Sequence, residues 1–120
     1  MIEENLHEVL RSIEESRAKR TIADAKEPVR LVAVTKNHGV AEMREAIAHG
    51  VTDIGENRIQ EAREKFETLE RTAVWHLIGH LQKNKAKYAV KLFDLIHSVD
   101  TLELAEALDK EAGKIGKRQD

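Results

Sequence analysis

Two periods alternate along the chain. From Glu3 to about Ala23, Leu6, Val9, Leu10 and Ile13 recur at helical spacing with charges on the other face, which predicts an amphipathic helix packed on something. Pro28 closes the connection, because the residue before a proline avoids helical geometry. Arg30-Leu31-Val32-Ala33-Val34-Thr35 is then almost continuously apolar and β-branched, the pattern of a parallel strand covered on both faces. Helical spacing returns with Val40, Met43 and Ile47, and Gly50 suits a C-terminal stop. Val51 to Gly55 predicts a second strand. Asn57 with Gln60 resembles a capping box that opens a helix with Ile59, Ala62, Phe66 and Leu69 on its apolar face. Val74 to Gly79 predicts the third strand, about Gln82 to Lys91 a short helix, and Leu95 to Val99 the fourth strand. Asp100 with Glu103 is expected to cap a last helix carrying Leu104, Ala105, Leu108 and Ala112.

The strand starts fall about 20 residues apart, the spacing of repeated βα units. Four such units behind an N-terminal helix predict an α/β fold: half of a TIM-type (β/α)8 barrel, which typically needs ~250 residues. A small open parallel sheet satisfies the same pattern. Residues 1–120 are expected to form a single partial-barrel domain that stops before the fifth strand.

Composition narrows this only in part. Hydrophobic residues make up 41% of the 120 residues and charged residues 35%, a globular balance. The formal net charge of −2, with both signs interleaved, argues against nucleic-acid binding by charge alone. Lys83, Lys85, Lys87 and Lys91 with Tyr88 read as a solvated helix face, since one Trp, one Tyr and two Phe are too few for a base-stacking platform. The absence of cysteine excludes disulfides, a thiolate nucleophile and zinc–thiolate sites. With no apolar run of signal-peptide or membrane-span length, a soluble cytoplasmic protein without a membrane partner is expected.

Chemistry concentrates where predicted strands end. Lys36 follows the first strand. There it either leaves the core and extends to water, or stands partly desolvated with a lowered pKa that frees its amine to attack an aldehyde. Gly55-Glu56-Asn57 combines a glycine turn with a helix cap. His76 and His80 are four apart, but a strand reading with Gly79 between them removes the helical geometry that would bind metal, so no metal is expected.

Four segments carry a resemblance that spans nearly the whole chain. They are Leu31 to Lys36, Ile54 to Glu61, Trp75 to Lys85, and His97 to Asp100, the third being the most specific. In order and spacing they resemble the YggS-type pyridoxal phosphate (PLP) homeostasis proteins, whose barrel is similar to the N-terminal domain of alanine racemase. The resemblance implies PLP as cofactor, held as a Schiff base on Lys36, with Asn57 and His76 as motif residues on the cofactor side. It implies a role in vitamin B6 homeostasis without catalytic turnover. A PLP-dependent amino-acid racemase is the alternative, though it needs a second acid/base and Tyr88 is the only tyrosine. A scaffold that kept the motifs and lost the ligand is a third reading. In full-length relatives the phosphate-binding loops come from the second half of the barrel. A half barrel would expose sheet edges and apolar surface. Three outcomes are therefore expected: a homodimer of halves closing into one barrel, which is preferred, pairing with a second half-barrel, or a poorly stable fragment.

Overall fold

Each short apolar run becomes one strand and each amphipathic run the helix that returns the chain to the next. The computed structural model describes residues 1–19 and 29–120. The order is α1 (Ile2–Ala18), β1 (Val32–Val34), α2 (Val40–Ala48), β2 (Asp53–Glu56), α3 (Ile59–Leu69), β3 (Val74–Leu77), a 3-10 turn (Lys83–Lys85), α4 (Ala86–Leu92), β4 (Leu95–Ile96) and α5 (Leu102–Lys114). Pro28, and the stretch of the predicted first helix beyond residue 19, lie outside the described residues.

The four strands form one parallel sheet in the order β1-β2-β3-β4. Each strand thus pairs with its sequence neighbour, the arrangement of consecutive units of a (β/α)8 barrel. Strand residues alternate between faces. Ala33, Ile54, Trp75, Leu77 and Ile96 share the face that packs against the helices, and the core closes there. Ile54 is 1% exposed and Trp75 and Leu77 are 0% exposed, and the core also takes in Met43 of α2, Ala62 and Leu69 of α3, and Ala89 and Val90 of α4. Trp75 meets Phe66 of α3 edge-on, with ring centroids 5.3 Å apart, and its indole N–H donates to the Glu70 carbonyl. The other face carries Val32, Val34, Gly55, His76, Ile78, Leu95 and His97, and Val34 there is 50% exposed. This inner surface of the arc is open.

Strand boundaries are shorter than the apolar runs, yet pairing continues past them. The Thr35 N–H donates to the Gly55 carbonyl, Ile78 N–H to Glu56, and His97 N–H to Leu77. Gly50, at φ 110°, ends α2 in a conformation that L side chains avoid, as the sequence predicts. On α1 only Leu6 is buried, while Val9 and Leu10 are 44% and 39% exposed, so its apolar face is only partly covered.

Two predicted caps fall one residue late. Arg58, with extended backbone, precedes the first turn of α3 in place of Asn57, and no side chain caps that end. Asn57 forms a bend between β2 and Arg58, with its backbone close against Gly79. For α5, Thr101 rather than Asp100 is the cap. Its extended backbone aims its hydroxyl oxygen at the Leu104 N–H, 3.1 Å away. After α5 the chain returns to the sheet. Lys117 Nζ donates to the Val90 and Phe93 carbonyls at the end of α4, and the Asp120 carbonyl accepts from Ile96 N–H on the outer edge of β4. Burial lowers the Lys117 pKa.

Candidate functional site: the strand ends around Lys36

Lys36 stands two residues beyond the end of β1, so alternation carries it to the same inner face as Val34. It is exposed, and among the described residues its amine has no hydrogen-bond or ion-pair partner. The layer below is apolar: a Cβ built on Gly55 would meet Val32 Cγ1 at 3.1 Å and Ile78 Cδ1 at 3.2 Å, so these two side chains already close over the glycine.

The residues on either side of Lys36 are tied to groups reaching from the helical side. Thr35 Oγ1 donates to Glu56 Oε2 at 2.6 Å, and the Thr35 carbonyl accepts from Lys65 Nζ of α3 at 2.7 Å. Lys65 Nζ also lies 2.7 Å from Glu56 Oε1 and 2.9 Å from Glu61 Oε1. The contact with Glu56 Oε1 is ionic rather than an aligned hydrogen bond. Asn37, in the left-handed region at φ 63°, donates its N–H to Glu61 Oε1 at 2.6 Å. Glu56 is fully buried and Lys65 and Thr35 nearly so. Burial pushes the Lys65 pKa down, but its close pairing with the carboxylates of Glu56 and Glu61 outweighs that and holds it above the ordinary value. The hydrogen bond from Lys65, then that from Asn37 N–H, holds Glu61 below the usual carboxylate range.

A second polar chain runs down the inner face. Asp53 Oδ2 lies 2.7 Å from His76 Nε2, and His76 Nδ1 lies 2.8 Å from His97 Nε2. A carboxylate only accepts, so His76 Nε2–H donates to Asp53. The imidazoles meet edge-to-face with centroids 5.1 Å apart. Burial opposes ionisation of Asp53, but hydrogen bonds from Thr52 and His76 and the charge of Arg30 hold its pKa below the ordinary value.

The structure thus places Lys36 at an accessible strand end and His76 in the strand interior, with both ring nitrogens engaged. Asn57 is half-buried between them, its backbone against Gly79. His76 and His80 do not converge: His76 is buried in β3, while His80 is exposed beyond Gly79. Tyr88 lies on α4, on the helical side of the sheet, beneath the Arg63 guanidinium at 4.6 Å. Sequence reasoning missed Glu56, Glu61 and Lys65 around Lys36, and Asp53 and His97 around His76. Lys65 was legible in principle, since it shares the helical face of Ala62, Phe66 and Leu69.

Comparisons with known proteins agree with this architecture. Residues 12–120 match the family described as alanine racemase, N-terminal domain. The chain is 46% identical over 98 residues to a pyridoxal phosphate homeostasis protein of Synechocystis sp., covering 80% of this chain and 45% of the relative. It is 44% identical over 90 residues to the protein of that name in Deinococcus radiodurans, covering 74% and 42%. PipY of Synechococcus elongatus solved without PLP superposes with a TM-score of 0.84 at 43% identity, over 99% of this chain and 51% of PipY. With PLP bound, PipY superposes at 0.77 and 44% identity, over 97% of this chain and 50% of PipY. The chain therefore spans about half the length of the relatives it matches. By its matched residues, its half-barrel topology and its strand-end motifs, the chain belongs to the alanine racemase N-terminal domain family, beside the pyridoxal phosphate homeostasis proteins.

Proposed function

We propose that this chain binds pyridoxal 5'-phosphate as part of PLP homeostasis, holding it covalently on Lys36 without catalytic turnover. The observation that carries the reading is the state of Lys36: an exposed amine, unpartnered among the described residues, on the open inner face and flanked by two anchored residues. When bound, PLP would supply an aldehyde with which the Lys36 amine, once deprotonated, could condense with loss of water. Val32 and Ile78 offer the ligand an apolar floor, Asn57 a polar group at the neighbouring strand end, and His76 acts through the His97 ring that it holds. The PLP-bound state of PipY, related over nearly the whole of this chain, supports the choice of cofactor.

Titration with PLP followed by borohydride reduction and peptide mapping tests this reading. Label concentrated on Lys36 and lost in Lys36→Ala is the expected result. Diffuse label across surface lysines, the same in the variant, would reject it.

We further propose that two copies of the chain close over each other's inner faces, because Val34 stands 50% exposed there and, among the described residues, β1 is paired on one side only. Light scattering is expected to give twice the chain mass. A monomer with cooperative unfolding would leave that face to a separate second half-barrel or to solvent.

A further inference from the structure

We propose that Glu56, Glu61 and Lys65 form a polar clamp that holds the peptide on either side of Lys36, which makes Glu61 and Lys65 positioning residues for its amine. The proposal rests on the reading of Lys36 as the PLP lysine. A buried ionic cluster is weak evidence for stability by itself, because the desolvation of its charges offsets much of their attraction. Here its geometry gives it another use. The cluster reaches the β1–α2 connection three times: Lys65 Nζ at the Thr35 carbonyl, Glu56 Oε2 at the Thr35 hydroxyl, and Glu61 Oε1 at the Asn37 N–H. The residues before and after Lys36 are thus fixed from the helical side of the sheet. Lys36, between them, keeps its amine free.

Asn37 makes the clamp specific. Its φ of 63° lies in the left-handed region, which asparagine enters more readily than most residues, and the turn there is closed by the His38 N–H on the Thr35 carbonyl. The 2.6 Å hydrogen bond to Glu61 ties that turn to α3. The turn falls immediately after Lys36, ahead of the helix that begins at Val40. Reaction of an amine with a bound aldehyde depends steeply on where the amine is held, and small misplacements lower the yield by an order of magnitude or more. Glu61 and Lys65 reach the β1–α2 connection from α3. Their effect passes through Thr35 and Asn37.

Glu61 is the residue to test, because it lies at the edge of the cluster, with its side chain 25% exposed, and can be changed without stranding Glu56. Glu61→Ala removes the acceptor for Asn37 N–H, whereas Glu61→Gln keeps an amide oxygen in its place. Three quantities are measured in each protein: hydrogen exchange at the Asn37 amide, borohydride-trapped PLP on Lys36 relative to exposed Lys110, and the thermal midpoint. In Glu61→Ala, Asn37 exchange should accelerate and specific label on Lys36 should fall about tenfold, with Lys110 labelling unchanged. Glu61→Gln should restore both, and the midpoint should move little in either.

Wild-type labelling of Lys36 in Glu61→Ala with fast Asn37 exchange would overturn the positioning role, and unchanged exchange would overturn the clamp itself. A wild-type chain in which Lys36 labels no better than Lys110, while Asn37 exchange still responds to Glu61→Ala, would instead reject the PLP reading and with it the purpose assigned to the clamp.

Discussion

Lys65→Met is expected to destabilise the fold by about 3–5 kcal/mol, the usual cost of removing one partner of a buried ion pair. The methionine conserves most of the side-chain volume and suits a position beside Ala62, Phe66 and Leu69, so little packing is lost. What remains is a fully buried Glu56 without its cation, and a Thr35 carbonyl left with the His38 N–H alone. The double variant Glu56→Gln with Lys65→Met removes both charges and leaves an amide oxygen to accept from the Thr35 hydroxyl. It should recover most of the loss. Urea denaturation of the two variants and the wild type measures both quantities. A single variant within ~1 kcal/mol of wild type would mean that Glu56 finds another counter-charge or takes up a proton at little cost.

Gly79→Ala should be the second most damaging change. A Cβ there would fall 2.3 Å from the Asn57 carbonyl oxygen and under 3 Å from its Cα and carbonyl carbon. All three are backbone atoms, so no side chain can swing aside, and the β2–α3 and β3–α4 connections must separate. Overpacking costs of about 1–3 kcal/mol are typical, and a clash confined to main chain belongs at or above the top of that range. Thermal unfolding should show it as a fall of roughly 10 °C or more in a domain of this size. Loss of Asn57 from its place should also weaken PLP retention beyond the effect of stability. A variant that melts like wild type would show that these two connections move apart freely.

The architecture was readable because short, nearly unbroken apolar runs recur about every 20 residues, although among the described residues helices cover only one face of the sheet. Lys36 and Asn57 could be located because strand ends can be read once strands are found. Caps were harder. Asn57 and Asp100 are good capping residues, yet contact with Gly79 and the reach of Thr101 moved each helix start by one position. The polar clamp was hidden for a different reason. In a chain this rich in charge, Lys65 looks like one more solvated side chain, and only its place on the apolar face of α3 separates it from Glu64 or Glu67. Asp53 and Glu56 gave a similar signal, since a carboxylate inside an apolar strand has to find a partner.

Because every strand pairs with the one synthesised just before it, no step of assembly waits for a distant segment. As the chain emerges from a ribosome, β2 can dock on β1 while β3 is still being made, and each new helix covers only the strand pair beside it. The cost in chain entropy is spread over short closures, a condition that favours rapid folding. The surface left open during that growth is the inner face bearing Lys36, so a small aldehyde can reach the amine before any partner covers that face.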